Sequence, residues 1–243
     1  MDLIVYLVLG FSIGFAAGLF GVGGGFLLVP SLVILGLPIY TAIGTSLACI
    51  SVSALASAYT HIRSGRVLYR VVLLKELFSV PSAMLGAYLS AYFPERLLKI
   101  VFGALLLYLS VSMFRSKKVE HDIENARIQY KNVPLVGVIA GLVSGLLGVS
   151  GGILNVPLFH TLVGIPIKYA VGTSSLSLLF TALAGTFEHW RLGHLRLEVV
   201  LLLAPGLIIG GRLGAKSVSK IDSRSLKVAF SALLVLVAIK MLL

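Results

Sequence analysis

The sequence contains little charge, and its first quarter contains almost none. Of its 243 residues 12% are charged and 58% are hydrophobic, and the mean hydropathy is +1.04. A soluble domain carries about 25% charged residues. No Asp, Glu, Lys or Arg occurs in residues 3–60, and this run far exceeds the roughly 20 residues that one membrane-spanning helix needs. The composition excludes an ordinary soluble domain and predicts an all-α polytopic membrane protein.

The residues of most enzyme and metal sites are also missing. The one cysteine, Cys49, lies in an apolar run, so neither an intrachain disulfide nor a thiolate metal cluster is expected. The chain has no HExxH, no P-loop lysine and no carboxylate pair within its apolar segments. We therefore predict no catalytic residues, no metal, no cofactor and no enzymatic activity. The net charge of +11 comes from basic residues between apolar runs, not from a basic stripe with aromatics, so nucleic acid is not an expected partner.

The chain contains an internal repeat. Residues 18–30 read GLFGVGGGFLLVP, and residues 145–157 read GLLGVSGGILNVP. Downstream, Gly-Thr-Ser occurs at residues 44–46 and again at 172–174, and His-x-Arg-x-Gly occurs at residues 61–65 and again at 189–193. Matches at corresponding positions along both halves indicate duplication. We predict two homologous transmembrane repeats, residues 1–114 and 133–243, joined by a linker of residues 115–132.

Each repeat is expected to contain a helix, a short apolar segment and about three further spanning helices. The short segments hold about 11 residues, which gives roughly 17 Å of helix against a hydrocarbon core of about 30 Å. They are predicted to be half-helices that turn back, so that each repeat begins with a glycine-broken helix hairpin. The expected helices are residues 3–20, 26–36, 40–60, 70–92 and 97–114, then 133–148, 152–163, 167–188, 197–218 and 225–243.

The positions of Lys and Arg predict the orientation. If each hairpin turns back, each repeat crosses the membrane an odd number of times and the two repeats are inverted. Most of the twenty basic residues then lie on one face, and basic loops favour the cytoplasmic side. We therefore expect a protein of the cell membrane with a cytoplasmic linker and both termini outside.

The two glycine runs, residues 21–25 and 148–152, interrupt apolar segments at corresponding places in both repeats. Non-helical backbone at membrane depth is tolerated only where protein or a water-filled cavity surrounds it. Glycine also lets backbone approach a ligand closely, and a helix N-terminus offers free N–H donors to an anion. Close helix packing is the alternative explanation, and it is the interpretation we favour for Gly14, Gly18, Gly141 and Gly145. The predicted substrate-binding residues are Gly21, Gly23, Gly24, Gly25, Thr45, Ser46, Gly148, Ser150, Gly151, Gly152, Asn155, Thr173 and Ser174.

Several polar residues of the apolar segments allow two interpretations. The hydroxyls of the Gly-Thr-Ser motifs either face a substrate or bond to a carbonyl of their own helix. His61 and His189, with Glu188 nearby, either form a proton relay or cap helix ends at the membrane interface. Lys75 and Glu76 are adjacent in sequence and are expected to form a local ion pair.

The doubled glycine motif, each copy followed by GTS and then by HIRSG or HWRLG, resembles the TauE/SafE family of sulfite exporters. The resemblance covers essentially the whole chain and includes Pro30 and Pro157. It implies a permease of seven or eight spans that moves sulfite, sulfoacetate or related sulfonates. The chain departs from the family pattern at Ser150, where a third glycine is usual.

Together these features predict a secondary transporter that exports a small sulfur-containing anion by rocking of the two halves. A passive anion channel, or a membrane subunit that supports a partner protein, is the alternative. The expected partners are the anion, the lipid bilayer and a coupling ion, either a proton or sodium. The sequence does not indicate whether the chain forms a homo-oligomer.

Overall fold

The computed structural model describes residues 3–89, 126–147 and 151–242, together with seven single residues between positions 100 and 114. The described part is helical and contains no strand. Most of the predicted helix 97–114, most of the linker and three residues of the second glycine run lie outside it.

Nine α-helices follow one another along the described chain. The ten-residue helices α2 and α6 are the short apolar segments predicted from the sequence. Five stretches are long and apolar enough to cross a membrane, namely Tyr40–Arg63, Tyr69–Leu89, Tyr130–Leu147, Ile167–Arg191 and Leu197–Lys220. The helices are α1 (Leu3–Phe20), α2 (Gly25–Ile34), α3 (Ile39–Arg63), α4 (Tyr69–Leu89), α5 (Val133–Leu147), α6 (Gly152–Thr161), α7 (Ile167–Arg191), α8 (Leu197–Ser217) and α9 (Ser223–Leu242).

The long helices α3 and α7 continue three residues beyond their predicted ends. Each stops just before the glycine of the His-x-Arg-x-Gly motif, because Gly65 and Gly193 adopt left-handed backbone with φ of 66° and 73°. Glycine at this position is a common helix terminator, since it has no Cβ to resist that conformation. The basic residue of the motif therefore belongs to the last helical turn.

Helix α1 packs against α8 through a face made of small residues. Gly10, Gly14 and Gly18 lie against Leu203, Leu207 and Gly211 in the same order along both helices, so α1 and α8 run parallel. A Cβ on Gly14 would lie 2.6 Å from the Leu207 carbonyl oxygen. The packing interpretation of Gly14 and Gly18 is therefore confirmed.

A second pair of helices packs in the same way. Helix α5 packs against α4, with Gly137, Gly141 and Gly145 against Lys75, Ser79 and Ala83, again in parallel order. A Cβ on Gly137 would lie 2.5 Å from the Lys75 carbonyl oxygen. The packing interpretation holds for Gly141 and Gly145 as well.

Helices α3 and α7 form the centre of the bundle and run antiparallel. Gly44 faces His189 while Leu47 faces Gly185, so the order along one helix is the reverse of the order along the other. The short helices pack on this pair, α2 on α3 and α6 on α7. Helix α3 also contacts α8, and α7 contacts α4. The glycine runs thus begin two short helices that lie against the central pair.

Candidate functional site

The first glycine run forms a buried turn between α1 and α2. Gly21, Gly23 and Gly24 have φ angles of 67°, 75° and 79°, a left-handed conformation that other residues rarely adopt. All five residues of the run are buried. The backbone conformation therefore requires glycine at three or more positions of the run. Neither the packing interpretation nor the ligand interpretation included this requirement.

The second glycine run meets the first one at the centre of the protein. Gly148, Val149 and Ser150 lie outside the described residues. Gly151 has φ of −51°, in the right-handed region, and precedes the first residue of α6. A Cβ on Gly152 would lie 2.8 Å from the Gly21 carbonyl oxygen and 2.5 Å from Leu178 Cδ1. The N-terminus of α6 is thus in contact with the first run and with α7.

Ser174 lies at this meeting point, and Asn155 lies about one helical turn beyond Gly152 on α6. The Ser174 hydroxyl donates a hydrogen bond of 2.6 Å to the Gly21 carbonyl oxygen and so ties α7 to the first run. Asn155 on α6 is fully buried, and neither atom of its side-chain amide has a hydrogen-bond partner in the described part of the chain. A buried amide without a partner is rare because its desolvation is costly. Asn155 is therefore a candidate ligand-binding residue.

The helix starts add backbone donors to this amide. The first N–H groups of a helix have no intrahelical partner and carry a partial positive charge. The residues before α2 and α6 are Gly24 and Gly151, so no side chain caps either end. Neutral donors from backbone and amide can bind a small oxyanion without a permanently charged side chain.

The threonine of each Gly-Thr-Ser motif accepts a hydrogen bond from a loop that follows a helix in the other half of the chain. The backbone N–H of Leu68 donates to Thr173 Oγ1 at 3.1 Å, and that of Arg196 donates to Thr45 Oγ1 at 3.0 Å. The serine of the first motif, Ser46, is buried on α3. Neither interpretation of the motif hydroxyls included this role, because each threonine accepts its hydrogen bond from a loop that is distant in the sequence.

His61 and His189 lie in the last turns of α3 and α7, near the helix ends as the sequence predicted, and both side chains are buried. His61 Nε2 lies 3.4 Å from the Gly18 carbonyl oxygen. The His189 ring lies 6.0 Å from the ring of His194, and neither of its nitrogens has a partner among the described residues. Glu188 instead pairs with Arg191 at 3.2 Å. The described contacts do not join these residues into a chain, and the relay stays a prediction.

Arg66, which the sequence did not single out, lies buried in the loop between α3 and α4. Its Nη2 donates to the Ala215 carbonyl oxygen at 3.0 Å, while its Nε and Nη1 have no partner in the described structure. Burial lowers the pKa of the guanidinium, but arginine is not deprotonated in proteins, so the group stays charged. Arg66 thus provides a permanent positive charge at the end of the bundle where α3 meets α4.

A polar cluster lies between α4 and α7. Lys75 is fully buried, and its Nζ donates to Glu76 Oε1 at 2.7 Å and to Thr181 Oγ1 at 3.1 Å. Thr181 donates to Glu76 Oε2 at 2.8 Å, and Ser177 donates to Glu76 Oε1. The hydroxyls of Ser79 and Thr181 are 3.1 Å apart. We call these five residues the Lys75–Glu76 cluster.

The ion pair between Lys75 and Glu76 was predicted from the sequence. Its hydrogen bonds to side chains of α7 were not predicted. Adjacent residues on a helix normally face different directions, so a Lys-Glu dipeptide suggests only a local contact. The signal that could have revealed the cluster is the presence of two charges within a segment otherwise apolar enough to cross a membrane.

Comparison with known proteins identifies the family. Residues 6–241 match the family model described as "Sulfite exporter TauE/SafE". The chain belongs to this family. It is 29% identical to the probable membrane transporter protein YunE of Bacillus subtilis, over all of this chain and 98% of that protein. It is 31% identical to a probable membrane transporter protein of Haemophilus influenzae, over 99% of this chain and 98% of the relative. No solved structure matches the chain.

Family membership confirms the resemblance found in the sequence. Members of this family are membrane transporters, which are not enzymes. The five candidate spans agree with a multi-pass membrane protein.

Proposed function

We propose that the chain is a secondary transporter that exports a small sulfur-containing anion, such as sulfite or an organosulfonate, across the cell membrane. One observation carries this proposal: the amide of Asn155, fully buried about one turn from the start of α6, has no hydrogen-bond partner among the described residues. The family description supplies the class of substrate. The proposed binding residues are those predicted from the sequence, with Asn155, Ser174 and the starts of α2 and α6 at the centre.

The donors of this site suit a small anion. Free N–H groups at two helix starts and the Asn155 amide can each approach an oxyanion oxygen within hydrogen-bond distance, and the aligned helix dipoles favour negative charge. The surrounding residues are buried, so water does not compete for these donors. Broken helices whose ends meet near the middle of the bundle are the arrangement used by transporters built from repeats.

We further propose that residues 1–114 and 133–243 are inverted repeats, with the linker in the cytoplasm and both termini outside. The antiparallel run of α3 and α7 supports inversion, because these helices occupy corresponding places in the two repeats. The contacts of α1 with α8 and of α5 with α4 also correspond. So do the bonds of Thr45 and Thr173 to the loops preceding α8 and α4.

The contacts between helices of the two proposed repeats constrain how such a transporter moves. Since α1 packs on α8 and α5 on α4, a boundary between rigid bodies cannot follow the linker. We propose that rocking occurs between units that each combine helices of both repeats. The described residues of the site are buried, so we propose that transport requires these units to separate on one side at a time.

Flux measurements in proteoliposomes test the proposal. Wild-type protein should take up radiolabelled sulfite or a sulfonate above the level of empty vesicles. Gly151→Val should abolish flux while leaving a monodisperse protein, because the added Cβ would lie 2.8 Å from the Ala140 carbonyl oxygen and would displace the start of α6 from its position at the site. Gly65→Asn is the control, since this exposed turn has open space around its Cβ position and asparagine tolerates its left-handed backbone. Normal flux in Gly151→Val, or no wild-type flux for any anion of a panel, would contradict the proposal.

The same vesicles distinguish the alternatives. Saturable flux that depends on a counter-ion identifies a transporter, whereas gradient-independent conductance in a planar bilayer would identify a passive anion channel. A protein with neither activity would fit a membrane subunit that supports a partner. The burial of the described site residues favours transport, because a channel needs a continuous open path.

A further inference from the structure

We infer that the Lys75–Glu76 cluster is the coupling centre of the proposed transporter: Glu76 binds the coupling proton, and Lys75, released from Glu76, attracts the anion. This inference rests on the proposed function and locates its coupling ion. It differs from the relay of His61, Glu188 and His189 predicted from the sequence, because it places the proton on a carboxylate between α4 and α7.

The fold does not need this ion pair. At the corresponding positions of α8, Leu203 and Ala204 take the places of Lys75 and Glu76, and Leu207 takes the place of Ser79. Helix α8 nevertheless packs against α1 through Leu203 and Leu207 as α4 packs against α5 through Lys75 and Ser79. Buried ion pairs are seldom more stabilising than apolar residues of similar size, and charges inside a membrane commonly mark ion pathways. The presence of Lys75 and Glu76 in α4, where α8 has apolar residues, therefore needs a functional explanation.

The cluster lies beside the proposed substrate site. Ser174, Ser177 and Thr181 are spaced to share one face of α7. Ser174 binds the first glycine run, whereas Ser177 and Thr181 bind Glu76. At a rise of about 1.5 Å per residue, Ser174 and Ser177 are separated by roughly 4.5 Å along the helix axis. Leu178, on the same stretch of α7, is in contact with Gly152. An anion at the glycine runs is thus close to the Lys75 ammonium.

Charge balance links the proton to the anion. When a proton from water forms an O–H bond on Glu76, the carboxylate becomes neutral and the Lys75 ammonium loses its counter-charge. An unpaired buried ammonium is very unfavourable, and a bound anion restores neutrality. Binding of the proton and binding of the anion therefore favour each other by the same factor. Both leave together on the side to which the site opens, and Glu76 then pairs again with Lys75, so the direction of net transport follows the combined gradients of proton and anion.

Other titratable groups are distant from Glu76 in the described structure. Helix α5, which packs on α4, contains none. The titratable residues of α7 lie at its two ends, at least seven positions from Ser177 and Thr181. On α4 itself, Tyr69 and Arg70 lie in the first turn and Tyr88 near the other end. Lys75 is thus the titratable group whose contact with Glu76 the structure shows.

The experiment measures proton uptake on anion binding. Purified protein in weakly buffered detergent is mixed with methanesulfonate, whose charge is constant near neutral pH, and a pH indicator records the protons taken up for each anion bound. Wild type should take up a proton with each anion, and Glu198→Gln, an exposed control on α8, should do the same. Glu76→Gln, whose amide imitates the protonated carboxyl, should bind the anion without proton uptake, and its binding should become independent of pH.

A double variant separates folding from coupling. Lys75→Leu/Glu76→Ala copies the residues of α8 and should remain monodisperse, with no proton uptake and weaker anion binding. Wild-type proton uptake in Glu76→Gln or in the double variant would overturn the inference. Loss of anion binding in folded Glu76→Gln would also overturn it, as would loss of uptake in Glu188→Gln alone. Wild-type anion binding without protons refutes the coupling only, whereas no wild-type binding or flux for any anion refutes the proposed function.

Discussion

Replacing Asn155 by leucine should stabilise the substrate-free protein and abolish substrate binding. Asn155 is fully buried and its amide has no hydrogen-bond partner in the described structure. Leaving a buried polar group unpaired costs about 1–3 kcal/mol, and a near-isosteric apolar change costs less than about 1.5 kcal/mol in repacking. Leucine already occupies the corresponding position of α2, where Leu28 is also fully buried. We therefore expect a net gain of about 1–2 kcal/mol for Asn155→Leu.

The assay is the apparent melting temperature of purified protein with and without sulfite. For a chain of this length, about 1 kcal/mol corresponds to roughly 2–4 °C, so Asn155→Leu should melt roughly 2–8 °C above wild type. Sulfite should raise the melting temperature of wild type by mass action and leave that of Asn155→Leu unchanged. The matched control, Leu28→Asn, should melt below wild type. A lower melting temperature for Asn155→Leu, or an undiminished shift with sulfite, would refute the reasoning.

Two further predictions concern packing and loops. Thr45→Val and Thr173→Val each remove the acceptor of a loop N–H and should lower stability by similar amounts, about 1–2 kcal/mol; an unchanged melting temperature with lost flux would instead show that these hydroxyls bind substrate. Gly145→Leu should prevent assembly of α4 with α5, because a Cβ on Gly145 overlaps the Ala83 carbonyl. Gly211→Ala should be mild, since its added Cβ comes no closer than 3.3 Å to its neighbours. Size-exclusion profiles of the two glycine variants check this, and equal profiles would contradict it.

The architecture was largely predictable because it depends on local signals. Apolar length predicted the spanning helices, and the glycine runs predicted two short helices of about 11 residues, where the structure has helices of 10 residues. Helix ends at Arg63 and Arg191 were predicted less well, since the decisive signal is a left-handed glycine two residues later. The match between repeats identified both glycine runs, although most of the second run lies outside the described residues.

The site was predictable only in part, because its contacts join residues far apart in sequence. Asn155 was identified as the polar substitute for Leu28, and the structure shows it buried without a hydrogen-bond partner among the described residues. The threonine bonds to Leu68 and Arg196 could not be foreseen, since they join the two halves of the chain. The hydrogen bonds around the ion pair were missed because the sequence does not reveal that Ser177 and Thr181 of α7 donate to Glu76.

The parallel packing of α1 on α8 has a consequence for biosynthesis. Helix α1 is made first, yet the helix that covers its glycine face begins only at Leu197. Until that point of translation, this face must be covered by lipid or by the insertion machinery. A nascent chain truncated before α8 should therefore leave α1 accessible to crosslinking from the bilayer, and the protein should gain protease resistance late and in one step. Neither half, expressed alone, has the surface that its first helix requires.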